Sequence, residues 1–188
     1  QIESSLATEF AFTFFGSSVF LQNLSLENFI NGAISFKSTP GIECVIVFQN
    51  CVFSSDKICK SNMISVQGDS EFYNTDLTLQ DLVINNVRTN ASLVSVSGAL
   101  KSITIFNSEF VSNELVGTNS DSWLFNVESW VEKIQVNQIK FSENSGVSPQ
   151  GGGFKLLQKR LTSFHEFDLR DGLFEYNTFS GPTLFIAL

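Results

Sequence analysis

Charge is scarce in this chain. Only 16% of its 188 residues are charged, and the basic ones are outnumbered by the acidic, 11 against 19, for a net charge of −8. No Lys/Arg cluster interrupts that balance, which makes nucleic acid and anionic membrane surfaces poor candidate partners. There is one His, and the three cysteines are spaced C-x6-C-x7-C, which fits no common zinc site. The apolar runs, such as Phe10–Phe15 and Thr183–Leu188, fall far short of the roughly 20 residues of a membrane-crossing helix, so no membrane insertion is expected from them. No secretory leader is visible, and a start at Gln1 rather than Met gives the expectation of a processed or excised chain.

What the chain does have is Phe, at 20 positions, set among abundant Ser and Asn. That composition suits a sheet with a stacked apolar inside and a neutral polar outside, and it is not the composition of a disordered chain. The arrangement is repetitive. Phe110 is preceded by Asn107 at three residues and by Ile105 and Ile103 at five and seven. The same grid of apolar, x, apolar, x, amide or acid, x, x, apolar recurs at Leu26 with Asn23, Phe53 with Asn50, Ile84 with Asp81, Phe141 with Gln138 and Phe174 with Asp171. These anchors are separated by 27, 31, 26, 31 and 33 residues, a loose period of the solenoid kind.

A second apolar segment follows each anchor after a variable gap: Ile34/Phe36, Ile64/Val66, Val94/Val96, Phe125/Val127, Phe154/Leu156 and Leu184/Ile186. Two short alternating strands cannot bury a face alone, but stacked copies can, each strand pairing in parallel with its counterpart about 4.8 Å away. The expected fold is therefore all-β: a right-handed parallel β-helix of about six coils over residues 1–188, a single segment, with a partial coil at the N-terminus formed by the strand ending in Phe10–Gly16. The Asn/Asp/Gln column is expected to supply left-handed bends, and its side chains can bond to one another along the axis. Neither terminus shows a polar cap, so the expectation is either a segment of a longer β-helix or copies meeting end to end.

Cys44, Cys51 and Cys59 all fall in the second coil. A local disulfide in an oxidising compartment is the expected use, with one thiol left over, and buried or unpaired thiols are the alternative. The sequons Asn23-Leu-Ser25 and Asn90-Ala-Ser92 permit glycosylation, Asn90 in a variable gap and Asn23 only if it does not point inward. The longer excursions, Glu114–Ser122 and Glu143–Gly153, are expected on one side of the solenoid, where a binding surface would form.

Three pieces of this sequence match a known repeat. Phe110-Val-Ser-Asn113, Phe141-Ser-Glu-Asn144 and Phe174-Glu-Tyr-Asn177 resemble the F-x-x-N half of the repeat of chlamydial polymorphic outer-membrane proteins and related eukaryotic surface proteins. Phe53-Ser-Ser-Asp56 is a near match, and Asn31-Gly-Ala-Ile34 and Gly151-Gly-Gly-Phe154 are similar to its G-G-A-I half, whereas Leu26 and Ile84 depart from the pattern. The resemblance implies a pectin-lyase-like right-handed β-helix and extracellular adhesion or scaffolding. Fold analogy alone does not establish function.

Catalytic candidates are thin. Asn74-Thr75-Asp76 has the letters of a polygalacturonase motif, but the further acids, Gly-His-Gly and Arg-x-Lys are absent, so a turn is the better reading. His165 stands beside Glu166 and Asp168 with no nucleophile placed by any motif. Asp168, Arg170 and Asp171 are a weak candidate calcium-and-base cluster. Trp123 and Trp130 suit core packing better than stacking on sugar rings. Gly151–Gly153 lacks the helix and Lys-Ser/Thr of a phosphate loop. The sequence thus points to a non-enzymatic extracellular structural β-helix without cofactor or metal: a filament or stalk subunit or an adhesin segment on a cell surface, partnered by other β-helical segments or copies of itself, or by surface glycans or proteins. The alternative is a carbohydrate-binding or polysaccharide-cleaving β-helix with its site on the two excursions.

Overall fold

The computed structural model describes residues 10–16, 18–118, 121–158 and 166–187. In chain order the strands are β1 (Phe10–Phe15), β2 (Val19–Gln22), β3 (Ser25–Glu27), β4 (Gly32–Lys37), β5 (Cys44–Cys59), β6 (Ile64–Gln67), β7 (Thr75–Thr89) and β8 (Val94–Val111). They continue with β9 (Glu114–Leu115), β10 (Trp123–Ser142), β11 (Ser145–Gly146), β12 (Gly152–Gln158), β13 (Glu166–Arg170), β14 (Leu173–Glu175), β15 (Thr178–Phe179) and β16 (Leu184–Ala187). All join one 16-stranded sheet whose named strands pair in parallel, wound into a β-solenoid of about 5 turns. The expected six coils become about five turns because six copies of a unit enclose only five complete rises.

The turns carry three or four short strand segments, β2–β4 in the first and β13–β16 in the last, rather than the two that periodicity suggests. The repeated anchors stack in register, Leu26 on Phe53 on Ile84 on Phe110 on Phe141 on Phe174. The second apolar segment stacks likewise, from Phe12 and Phe14 of β1 through Ile34/Phe36 to Leu184/Ile186. The strand Phe10–Phe15 therefore belongs to that second column. Alternation puts these residues inside, where Phe48, Phe53, Phe110, Phe125 and Phe141 have no exposed surface. Phe141 lies between Phe110 and Phe174, each ring stacked at 4.9 Å. Offset stacks of this kind add about 0.5–1.5 kcal/mol per pair beyond burial.

The bends follow from the amide column. Asn23, Asn50, Asp81, Asn107, Gln138 and Asp171 all have left-handed backbone, with φ between 47° and 57°. A second left-handed bend comes five residues later, at Asn28, Asn86, Ser112, Glu143 and Tyr176. Coil two departs there: a register shift around Ser55 leaves Asp56 and Lys57 outside the pairing, as a bulge within β5.

A staple crosses the corner before the amide-bearing face. Asp69 is buried, and its carboxylate accepts bonds from the Gly41 N–H at 3.2 Å and the Glu71 N–H at 2.9 Å. Gly98, at φ 82°, lets the next rung approach so closely that a Cβ there would lie 2.5 Å from the Gly68 carbonyl oxygen. Burial works to raise the Asp69 pKa, but the backbone N–H groups of Glu71, Gly41, Phe72 and Ser70 outweigh it and hold the carboxyl below its usual value. A carboxyl with a depressed folded pKa contributes stability above its unfolded value of about 3.9, and the contribution is lost as pH falls through the folded value. Asp69→Ala is expected to cost about 2 kcal/mol at pH 7. In urea titrations the gap from wild type should close at acid pH, and a gap independent of pH would contradict the staple.

Candidate functional site

The amide column faces outward. Asn23, Asn50, Asn107, Gln138 and Asp171 are exposed, and side-chain bonds join it in pairs, Asn50 Nδ2 to Asn23 Oδ1 and Asn107 Nδ2 to Asp81 Oδ1, each 2.6 Å. The expected run of amide bonds along the axis lies elsewhere, on the final Asn of the F-x-x-N pieces. Asn113 Nδ2 donates to Asn144 Oδ1 at 3.0 Å, and Asn144 Nδ2 donates to Asn177 Oδ1 at 2.9 Å. Each of the three also donates to the carbonyl of an anchor one rung back: Ile84, Phe110 and Phe141. These asparagines turn inward immediately after Ser112, Glu143 and Tyr176, residues that do not favour left-handed backbone, and their bonds fix the bend. The outward column reflects conformational tolerance and the inward one hydrogen-bond satisfaction.

Cys44, Cys51 and Cys59 are buried and unpaired, which corrects the expected disulfide. They lie on three successive segments of β5, separated by the bend at Asn50 and the bulge at Asp56 and Lys57, and each thiol bonds a different backbone carbonyl, those of Ile42, Leu21 and Phe29. Their partners explain them. Cys44 pairs in register with Thr75 and Cys59 with Thr89, while Cys51 shares its column with Leu82 and Ser108. The Cys51 thiol donates to the Gln49 carbonyl at 3.4 Å, as the Ser108 hydroxyl does to Phe106 at 3.0 Å. The thiols thus occupy inward Ser/Thr-like positions. Burial raises all three thiol pKa values, Cys59 to about 11, and suppresses the reactive thiolate. A water-soluble thiol reagent should find no accessible thiol in the native chain and three after denaturation, and rapid native labelling would contradict this placement.

Of the enzyme candidates, Asp76 bonds to the Ser102 hydroxyl and lies 3.9 Å from Lys101, and Thr75 is buried in the sheet. Asp168 is held by Arg170 at 2.8 Å in a shallow groove with Thr104, Phe106, Gln135 and Asn137. Asp171 is a bend residue. His165 lies outside the described residues. Among the described residues no group of three or more His, Cys, Asp and Glu is arranged to hold a metal. Both sequon asparagines, Asn23 and Asn90, are exposed. Trp130 is partly exposed, while Trp123 is 2% exposed and packs at 6.2 Å from Phe185.

The two excursions do come together. They border a cavity of about 360 Å³ lined by Asp121, Trp123, Pro149, Gln150, Lys155, Pro182 and Phe185. Its volume is in the range of small-molecule pockets. The triple glycine makes the approach possible, since a Cβ on Gly152 would lie 1.8 Å from the Pro182 carbonyl oxygen. At the floor lies a group that sequence reasoning missed: Lys155, whose side chain is 8% exposed, with its Nζ against Asp121 Oδ2, 2.6 Å from Glu128 Oε1 and 5.6 Å from the Trp123 ring centre. The register that brings Lys155 beside Asn126, between Trp123 and Glu128, depends on gap lengths that the repeat leaves open. Comparison of the chain with protein-family models, curated proteins and solved structures found no match in any of the three.

Proposed function

We propose that this chain is a non-enzymatic structural β-helix of the cell exterior, a stretch of stalk, filament or adhesin whose partners are further β-coils. The observation that carries this reading is the state of the two outer rungs. One rung in from the C-terminal side, Ile134, Val136, Phe141 and Leu156 are at most 1% exposed. Their counterparts on the outer rung, Phe167, Leu169, Phe174 and Ile186, are only partly covered, and Leu184 and Phe185 are exposed. On the opposite rung Phe12, Phe14, Leu21 and Leu24 are partly covered and Phe20 is exposed. Among the described residues the strands of both outer rungs pair on one side only, and a rung that offers apolar side chains along such an edge is a template for another rung, from the same polypeptide or another molecule.

The exposed sequons, the abundance of Ser and Asn with few charges, and the F-x-x-N and G-G-A-I likeness to surface-protein repeats of the pectin-lyase-like type support an extracellular glycoprotein. The cavity at the two excursions favours a second reading, a carbohydrate-binding or carbohydrate-cleaving β-helix. Sedimentation velocity separates the two. The chain should associate end to end with rising concentration, and Leu169→Lys with Ile186→Lys should leave a folded monomer. A wild-type chain that stays monomeric while binding or hydrolysing a glycan would replace the structural reading with the second one.

A further inference from the structure

The floor of the excursion cavity contains the parts of a self-acylating centre. Lys155 projects from β12 with its amine against the carboxylate of Asp121, which precedes β10 on the neighbouring rung. Glu128 Oε1 lies 2.6 Å from the same nitrogen, and the Trp123 indole N–H donates to the other oxygen of Asp121, Oδ1. A nucleophile, a base on it and a donor on the oxygen that gains charge are thus held by the strands β12 and β10, the electrophilic carbon lies in the connection just before β10, and the amine is withdrawn from water. Proximity of this order replaces a bimolecular encounter and can supply much of a condensation barrier. The geometry points to an intramolecular amide between Lys155 Nζ and Asp121 Cγ, a covalent tie between adjacent rungs beside the open C-terminal edge.

The step balances without any further reactant. Burial favours the neutral amine, but the bonds to Asp121 and Glu128 outweigh it and raise the Lys155 pKa, so the resting state is the ion pair. Transfer of one proton along the hydrogen bond from Nζ to Asp121 Oδ2 gives the neutral amine and carboxylic acid. Nζ then attacks Cγ, forming the C–N bond, while the Trp123 N–H stabilises the negative charge on Oδ1. Glu128 takes the second proton from nitrogen and delivers it to Oδ2, the C–Oδ2 bond breaks, and Oδ2 leaves as water. Carbon, nitrogen and oxygen keep their oxidation states. The product amide N–H remains in reach of Glu128, and the charge of the Lys155 side chain, which is only 8% exposed and costly to bury, is gone.

Intact mass spectrometry of the folded full chain tests this directly. The wild-type mass should be lower than the sequence mass by one water, and proteolysis should release a branched peptide joining the segments around Asp121 and Lys155. Lys155→Arg keeps the positive charge without a condensable amine and should have its full mass. Glu128→Gln keeps the shape of the site without the base and should also have its full mass, with a wild-type circular dichroism spectrum showing that it folds. A folded wild-type chain with its full mass and two linear peptides would overturn the tie, and unimpaired loss of water in Glu128→Gln would overturn the role of the base. Neither outcome depends on whether the rungs associate.

Discussion

Phe110→Asp is expected to abolish the cooperative melt of this chain. Phe110 has no exposed surface, stacks on Phe141 at 4.9 Å and meets the edge of Phe125 at 6.0 Å. Removing a buried Phe costs about 3–5 kcal/mol through lost burial and the cavity left behind. Placing a carboxyl in that cavity adds several kcal/mol more, whether it is buried ionised or forced to protonate. Together these approach the roughly 5–15 kcal/mol that holds a typical domain folded. Circular dichroism should show loss of the cooperative transition, and a melting curve equal to wild type would mean that Phe110 does not face the interior stack.

Asn144→Leu is expected to be the most costly polar substitution, at about 3–5 kcal/mol. Asn144 is 1% exposed and works on both sides of its rung. Its Oδ1 accepts from the backbone N–H of Asn113 at 2.9 Å and from Asn113 Nδ2 at 3.0 Å, while its Nδ2 donates to the Phe110 carbonyl at 2.8 Å. Leucine would leave the Asn113 N–H and the Phe110 carbonyl buried without those partners, and each unsatisfied group costs about 1–3 kcal/mol. Asn107→Leu, on the exposed column, should cost only the roughly 1–2 kcal/mol of forcing a branched side chain into left-handed backbone, with one solvent-facing bond lost. Urea denaturation of the two variants side by side decides the matter, and the reverse order would show that the outward column carries the stability.

The parts of this fold that were legible in the sequence are those where one side chain recurs at a fixed offset. Phe110, Phe141 and Phe53 recur in step with Asn107, Gln138 and Asn50, and alternation with a bend between fixes both their inward direction and their register. The short segments β9, β11 and β15 were not legible, because two residues show no alternation. The true buried ladder was half visible. Asn113, Asn144 and Asn177 stood out as part of a repeat, but whether an Asn faces in or out depends on a second bend set by Ser112, Glu143 and Tyr176, which no turn preference announces. The cysteines misled because chemistry suggested pairing, whereas burial in a Ser/Thr-like column is what the solenoid uses them for. The Lys155 group has no signature in the repeat because its members, Asp121, Trp123, Glu128 and Lys155, meet only through the lengths of two variable excursions.

The most direct test of the structural reading is cryo-electron microscopy of the native material that carries this sequence. The account predicts that β-rungs continue at about 4.8 Å spacing past both outer rungs, so that Phe174 and Ile186 on one side and Phe12 and Leu21 on the other are covered by the next coil. Isolated particles in which those side chains meet solvent, or in which the outer rungs are closed by something other than β-coils, would contradict it.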